Sequence, residues 1–400
     1  MPSTEFSEQR PILLLSLAAF ASSASMRVCD PLLPALARSF ATTTGVAAQT
    51  ISAFSIAYGL FQVAYGPLGD RYGKFRLIAW TTLACMAGGI GATLATDFGW
   101  LLIFRALTGA AAAAIIPLSM AWIGDNVAYE RRQATLARFL TGQIVGIAGG
   151  QLAGGAFADT LGWRWALGSL VGVYFVVAAL LFAERWRNPA VDPPVRAATA
   201  GGGHFLAQTL ALFSIRWARV VLLTVFLEGM CFYGVLAFIP SYLHQAFGLP
   251  LSAAGAILGL YALGGFLYAL GARRLVARLG ETGLAKGGGL LMFLGFVLLA
   301  AGPSWLWALP ACLLAGLGFY MLHNTLQTNA TQMAPSHRGT AVSMFAAALY
   351  LGQSVGVFAS AAVVDAASPR WLFAASACAL PLLGLAFGRA LGRHHSARPG

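Results

Sequence analysis

The chain has 400 residues, 58% of them hydrophobic and only 10% charged, with a mean hydropathy of +0.75. A soluble domain carries about 25% charged residues, so this composition excludes an ordinary soluble enzyme and reads as a multi-pass membrane protein. The net charge of +12 raises a nucleic-acid reading, but the placement of the basic residues argues against one.

Windows of about 20 apolar residues give twelve expected spans. The first, 11–37, holds Arg27 and Asp30 in SMRVCDPLLP. Its length and its charges argue for a retained helix rather than a cleaved signal. Span two (45–67) leads into a tight turn, GPLGDRYGKFR, in which Gly66 and Gly73 allow close backbone approach. Asp70 is the lone acid there, among Arg71, Lys74 and Arg76. Spans three (77–96) and four (99–122) follow, and the fourth carries Arg105 in LLIFRALTGAAAA.

A charge at the centre of a membrane helix costs roughly 2.5–3.5 kcal/mol, so it is expected to be paired or functional. Asp30 and Arg105 fall at similar depth in antiparallel spans. The expectation is that Asp30 exchanges protons and that Arg105 tunes it, the alternative being a static ion pair.

Span five (135–158) reads TGQIVGIAGGQLAGG. Gly146, Gly150, Gly154 and Gly155 allow tight helix packing beside Gln151. After span six (163–183), the stretch 184–217 is rich in Pro, Gly and charge and reads as a linker. Span seven (218–243) contains Glu228 and Tyr233. Glu228 is a candidate substrate-cation contact or second proton site, or one end of a bridge to Arg27. Spans eight (251–271) and nine (284–302) precede span ten (304–329), where His323, Asn324 and Gln327 share one helix face as cavity lining. Spans eleven (339–364) and twelve (371–391) complete the set.

Of 25 Lys and Arg residues, Arg38, Arg164 and Arg370 fall on one side of this map, Arg27 and Arg105 lie inside spans, and the remaining 20 fall on the other side. This asymmetry places both termini in the cytoplasm. The five cysteines sit singly, without metal spacing, and no nucleotide loop or nucleophile elbow occurs. The expectation is therefore a non-enzyme without metal or cofactor, whose partners are the bilayer, protons and a small molecule, not nucleic acid.

The two halves read as diverged repeats. Leu68, Asp70, Arg71 and Gly73 align with Leu275, Ala277, Arg278 and Gly280. Gly142 and Gly146 align with Gly352 and Gly356, and Asp159 with Asp365. The expected domains are residues 1–183, a linker at 184–217, and residues 218–400.

The turn G-x-L-x-D-R-x-G-K, from Gly66 to Lys74, resembles the signature loop of the major facilitator superfamily. Arg105 before its Gly/Ala-rich run is similar to that family's second motif. Asp30–Pro34 resembles an element of its bacterial twelve-helix drug:proton antiporter branch. Gly150–Gly155 resembles the exporters' antiporter motif, with Gln151 where that motif has Pro. The resemblance implies an all-α membrane protein of twelve transmembrane helices in two pseudo-symmetric six-helix bundles, monomeric by family default, in a bacterial-type inner (plasma) membrane. It implies alternating access driven by the proton gradient, with efflux of a small amphiphilic or cationic compound. Uptake of a small, anionic metabolite and a transport-dead sensor are the alternatives. It implies for Asp70 a conformational latch between the halves; by position Asp70 is expected to cap the start of span eleven near Gly339 and Thr340, or to pair with Arg131 or Arg132.

Overall fold

The computed structural model describes residues 5–192, 209–335 and 338–396. The described residues are overwhelmingly helical. In chain order the long helices are α1 (Glu5–Arg27), α2 (Thr44–Tyr72), α3 (Lys74–Leu94), α4 (Phe98–Asn126), α5 (Tyr129–Asp159) and α6 (Trp163–Arg187). They continue as α7 (Arg216–Phe247), the stretch Leu251–Ala301, and then Trp305–Gln332, Arg338–Ala366 and Arg370–Ser396. Leu251–Ala301 is two helices, α8 over 251–279 and α9 over 281–301, because Gly280 adopts φ 61° and ψ 176°. The last three are α10, α11 and α12.

Nine of these stretches, among the described residues, are long and apolar enough to cross a membrane. Leu251–Ala301 counts once although it folds back on itself. The two left out, α1 and α5, are long but diluted by charge, Ser, Thr and Gln. Those two helices carry Arg27 and Gln151, and they pack on each other through glycine rather than through bulk. Gly142, Gly146, Gly150 and Gly154 sit over the carbonyl oxygens of Ser16, Phe20, Ala24 and Val28, four residues apart on both helices. A Cβ at Gly150 would collide with the Ala24 backbone, so only glycine permits this approach.

The same device recurs later in the chain. Gly352 and Gly356 of α11 sit over the carbonyls of Phe226 and Met230 in α7. These glycines are the ones the repeat alignment pairs with Gly142 and Gly146. Gly73 (φ 91°) and Gly280 (φ 61°) are likewise paired, and both turn the chain in the left-handed region that glycine favours.

Short turns make successive helices antiparallel, so one end of the molecule gathers Gly73, Gly280 and the end of α12. The opposite end gathers Asp159, Leu251, Asp365 and Thr43. Two helix pairs join the earlier helices to the later ones: α2 with α11, and α5 with α8. Ser52 and Ser354 each donate a hydroxyl to the other's carbonyl, at 3.4 and 3.2 Å. The lateral surface is strongly apolar, with Leu94, Leu270, Phe358 and Leu382 all exposed, as a lipid-facing belt requires.

The expected linker is shorter than its composition suggests. Helix α6 runs on to Arg187, and its Glu184 is buried against Arg10 at 3.0 Å. Beyond it, Asp192 meets Arg185 at 3.0 Å, and the Val191 carbonyl accepts the Trp122 indole N–H at 2.8 Å. The segment up to Asp192 is therefore docked. Residues 193–208 of the expected linker lie outside the described residues.

Candidate functional site

A cavity of about 1100 Å³ lies between the earlier and later helices. Its inner end is lined by Arg27, Tyr58, Tyr233, His323 and Tyr350, with Asn324 and Gln327 along one wall. It reaches the surface at Gly66, Pro67, Asp70, Arg338 and Gly339, the end where the basic loops gather.

Asp30 owes its position to proline. Pro31 cannot donate a backbone hydrogen bond and disfavours helical geometry at the residue before it. The helix therefore stops at Arg27. It tightens through Asp30 N–H to the Arg27 carbonyl (3.2 Å) and Leu32 N–H to the Cys29 carbonyl (3.0 Å), and resumes at Leu33–Ser39. The Asp30 carboxylate lies in this break, fully buried. Its Oδ2 is 3.7 Å from Arg27 Nη1 and accepts a long hydrogen bond, 3.5 Å, from Gln151 Nε2. Oδ1 has no hydrogen-bond partner among the described residues. Gln151 is thus a contact of the acid, a role its reading as a packing position missed. Its place one turn from the α1-facing glycines was the available signal.

The expected Asp30–Arg105 pair is not made. Arg105 turns instead to backbone, donating from Nη1 to the Ser25 carbonyl (3.0 Å) and from Nε to the Thr50 carbonyl (3.4 Å). Its guanidinium lies 4.6 Å from the Phe54 ring centroid. An arginine can engage backbone carbonyls of neighbouring helices instead of an acid, here with Nη2 left without a hydrogen-bond partner among the described residues. Arg105 so ties α4 to α1 and α2.

The Arg27–Glu228 bridge is absent as well. The Arg27 guanidinium lies 4.0 Å from the Tyr233 ring centroid, and Glu228 Oε2 meets His323 Nδ1 at 2.8 Å. A carboxylate at that distance requires the proton on Nδ1, in the neutral tautomer or the imidazolium. The His323 ring stacks on Phe319, centroids 4.9 Å apart. Directly after Glu228 the helix widens into a π-turn, Gly229–Tyr233, which presents Tyr233 to the cavity.

At the mouth, Lys74 Nζ bridges Asp70 Oδ1 (2.7 Å) and Asp125 Oδ2 (2.9 Å). Asp70 therefore pairs within its own turn, and Asp125, the acid at the end of α4, is a partner the sequence reading missed. Arg71 lies over Tyr72, 5.1 Å from its ring centroid, and Arg131 sits in the first turn of α5.

The far end of the cavity is shut by two helix caps. Asp159, ending α5, accepts the N–H of Leu251 (3.0 Å) and of Ser252 (2.7 Å) at the start of α8. Asp365, in the last turn of α11, accepts the Gly45 N–H (2.9 Å) and the Thr43 hydroxyl (2.6 Å) at the start of α2. A carboxylate at a helix N-terminus satisfies orphan donors and complements the dipole. Both aspartates stand out in the repeat alignment, but the sequence offers no reason to set them against helix starts in the opposite half of the chain.

Comparison with known proteins agrees with this architecture. The chain is 27% identical over 359 residues to the uncharacterized MFS-type transporter YwfA of Bacillus subtilis, covering 86% of this chain and 84% of that one. It is 28% identical over 203 residues to quinidine resistance protein 1 of Saccharomyces cerevisiae, covering 48% of this chain and 36% of the relative. The crystal structure of the nucleoside transporter NupG superposes with a TM-score of 0.79 at 15% identity, over 94% of this chain and 98% of that one. The family model described as Major Facilitator Superfamily matches residues 15–356, and the chain belongs to that superfamily.

Proposed function

We propose that the protein is a proton-coupled secondary transporter that exports a small amphiphilic or cationic compound by alternating access. In this reading twelve spans form two six-helix halves, residues 1–183 and 218–400, with both termini in the cytoplasm of a cell bounded by an inner membrane. The chain acts as a monomer, without cofactor and without chemistry of its own, and the proton gradient supplies the energy. The mouth between Asp70 and Arg338 lies on the basic side, which supports reading this conformation as inward-facing.

The observation that carries this reading is a pair of buried carboxylates behind the inner end of the cavity: neither Asp30 nor, against expectation, Glu228 lines it, but each contacts a residue that does, and each is held where the backbone departs from regular helix. Asp30 sits in the α1 break with Arg27 and Gln151; Glu228 adjoins the π-turn with His323. Non-helical backbone at membrane depth is tolerated where it lines a cavity, and such breaks are where transporters place coupling sites. Protonation of Asp30 removes the charge facing Arg27 and loosens the contact of α1 with its neighbours. Substrate arriving among Tyr58, Tyr233, Phe319 and Tyr350 finds aromatic faces suited to an amphiphile or an organic cation. The quinidine-resistance relative, one relative described as an efflux pump and one described as a citrate exporter support the export direction.

One observation favours the alternative of proton-coupled uptake. Arg27 lines the cavity and has Nε free of hydrogen-bond partners among the described residues, which suits an anionic metabolite.

The test is gradient dissipation in acidified inverted vesicles, read with a pH-sensitive dye, for wild type and Asp30→Asn. A compound that discharges the gradient with wild type alone supports antiport and names the substrate class. Discharge by both proteins removes Asp30 from coupling. Accumulation of an anion in right-side-out vesicles, with silence in the inverted ones, replaces export by uptake.

A further inference from the structure

A second concavity lies outside the transport cavity, on the lateral surface where α9 begins and α12 ends. Lys286, Arg389 and Arg393 line it, with the hydroxyl residues Thr282 and Ser396 at its rim. Three cations meet there, and none has an acidic partner among the described residues. The acid nearest in sequence, Glu281, is engaged by other residues: its Oε2 accepts Asn329 Nδ2 at 3.0 Å and lies 4.0 Å from His395 Nε2. Like charges gathered without counter-charge repel one another, and an anion relieves that repulsion.

The space is built by glycine. Gly388 lets the Lys286 stem lie flat against α12: a Cβ there would meet Lys286 Cγ at 3.0 Å and the Thr282 carbonyl at 3.3 Å. One turn on, Gly392 faces open space, so the concavity has a floor and no roof. Above the cations the same helix faces become apolar. Leu290 and Leu294 follow Lys286 at four-residue steps on α9, and Leu385 and Leu382 precede Arg389 on α12. All four leucines are exposed. A charged pocket with exposed leucines further along both of its helices matches a molecule with an anionic head and hydrocarbon tails.

We propose that this concavity binds the headgroup of an anionic phospholipid from the leaflet on the basic side, with acyl chains along Leu290, Leu294, Leu382 and Leu385. Arg389 and Arg393 supply forked donors to phosphate oxygens and Lys286 a point charge. Basic pockets between membrane helices on the cytoplasmic side are suited to such headgroups. A free phosphate shares the head chemistry but gains nothing from the leucines. The bound lipid would hold α9 against α12 and leave the transport cavity untouched.

The experiment is native mass spectrometry of the full chain in detergent, with phosphatidylglycerol, phosphatidylcholine or inorganic phosphate added separately. Phosphatidylglycerol is expected to remain bound where phosphatidylcholine and phosphate do not. Lys286→Gln/Arg389→Gln/Arg393→Gln should weaken that binding by roughly two orders of magnitude, since each cation near an anionic surface is worth about fivefold. The equal-charge control Arg273→Gln/Arg274→Gln/Arg278→Gln should bind like wild type. Should the triple variant not fold, Lys286→Gln alone is expected to weaken binding about fivefold. Unchanged binding in the site variants, or equal loss in the control, overturns the site. Phosphate binding as tightly as phosphatidylglycerol overturns the lipid assignment.

Discussion

Asp159 and Asp365 occupy equivalent positions, at the ends of α5 and α11, and each caps the first turn of a helix in the opposite half of the chain. The closed face is therefore held by two related contacts, each made of one side chain and backbone N–H groups. Removing an N-cap acid costs about 1 kcal/mol, or about fivefold in a conformational equilibrium, and distant sites add. Asp159→Ala and Asp365→Ala should each shift the population toward opening on this face by about fivefold, and the double variant by roughly 25-fold. Distances between spin labels on the α1–α2 and α7–α8 turns would report it. No lengthening in the double variant would show that helix packing alone keeps this face shut.

The Asp159 cap also fixes a pH dependence. Burial alone would raise this carboxyl, but the N–H groups of Ser252 and Leu251 outweigh burial and hold it below its usual value. A lowered pKa means the capped state binds the proton less readily than the open state. Its contribution is complete above the ordinary aspartate value, about 3.9, and is lost only as pH falls below it. The same spin-label distance should thus be flat from about pH 5 to 8 and lengthen in stronger acid. A transition near neutrality would assign control of this face to another group.

His323 holds one oxygen of a carboxylate whose other oxygen, Oε1, has no hydrogen-bond partner among the described residues. Hydrogen bonds to charged groups contribute about 1.5–3 kcal/mol, and leaving one partner unpaired in the interior costs at least as much. Glu228→Gln, His323→Phe and the double variant form a cycle whose coupling energy should be about 1–3 kcal/mol in thermal or denaturant unfolding. Phe preserves the stack on Phe319, so the cycle isolates the polar contact. A coupling near zero would mean the pair is not maintained in the membrane.

Arg105 serves two carbonyls from different helices, and lysine cannot present the same fork. Arg105→Lys should lower stability by about 1–3 kcal/mol through the unpaired carbonyls. It should leave the pH profile of transport in place. A displaced profile with unchanged stability would restore Arg105 as the tuner of Asp30.

Gly150→Leu places a branched side chain against the Ala24 backbone. Overpacking of this kind costs about 1–3 kcal/mol, and the α1–α5 seam has no flexible neighbour to give way. Reduced yield and a lower melting temperature are expected. Gly172→Leu, where nothing lies within 4 Å, should be tolerated.

Much of the helix layout was legible, because apolar run length and glycine spacing are local properties of the chain. Gly73 and Gly280, aligned as repeat equivalents, both fold as left-handed turns, and the paired glycines of α5 and α11 pack alike. The residues around the cavity were legible as a set, because charge and amide side chains stand out against leucine. Their pairings were not. Depth along a helix follows from counting, but rotation about its axis and the reach of a long side chain do not. Arg27, Asp30, Arg105 and Glu228 stand out in sequence as buried charges, but the pairings weighed for Arg105 with Asp30 and for Glu228 with Arg27 are not the ones the structure makes. Gln151 reads in sequence as a packing position standing where a related motif has proline, whereas its amide meets Asp30.

The duplicated caps on one face have no duplicate on the other. Asp70 belongs to the turn at the cavity mouth, and its repeat equivalent is Ala277, which carries no charge. On the proposed alternating-access cycle, a swing that closes the mouth must break both acid-to-helix contacts, and the repeat offers only Asp70 for a matching contact at the mouth. Dwell times should accordingly be unequal, long with the mouth open and short with it closed.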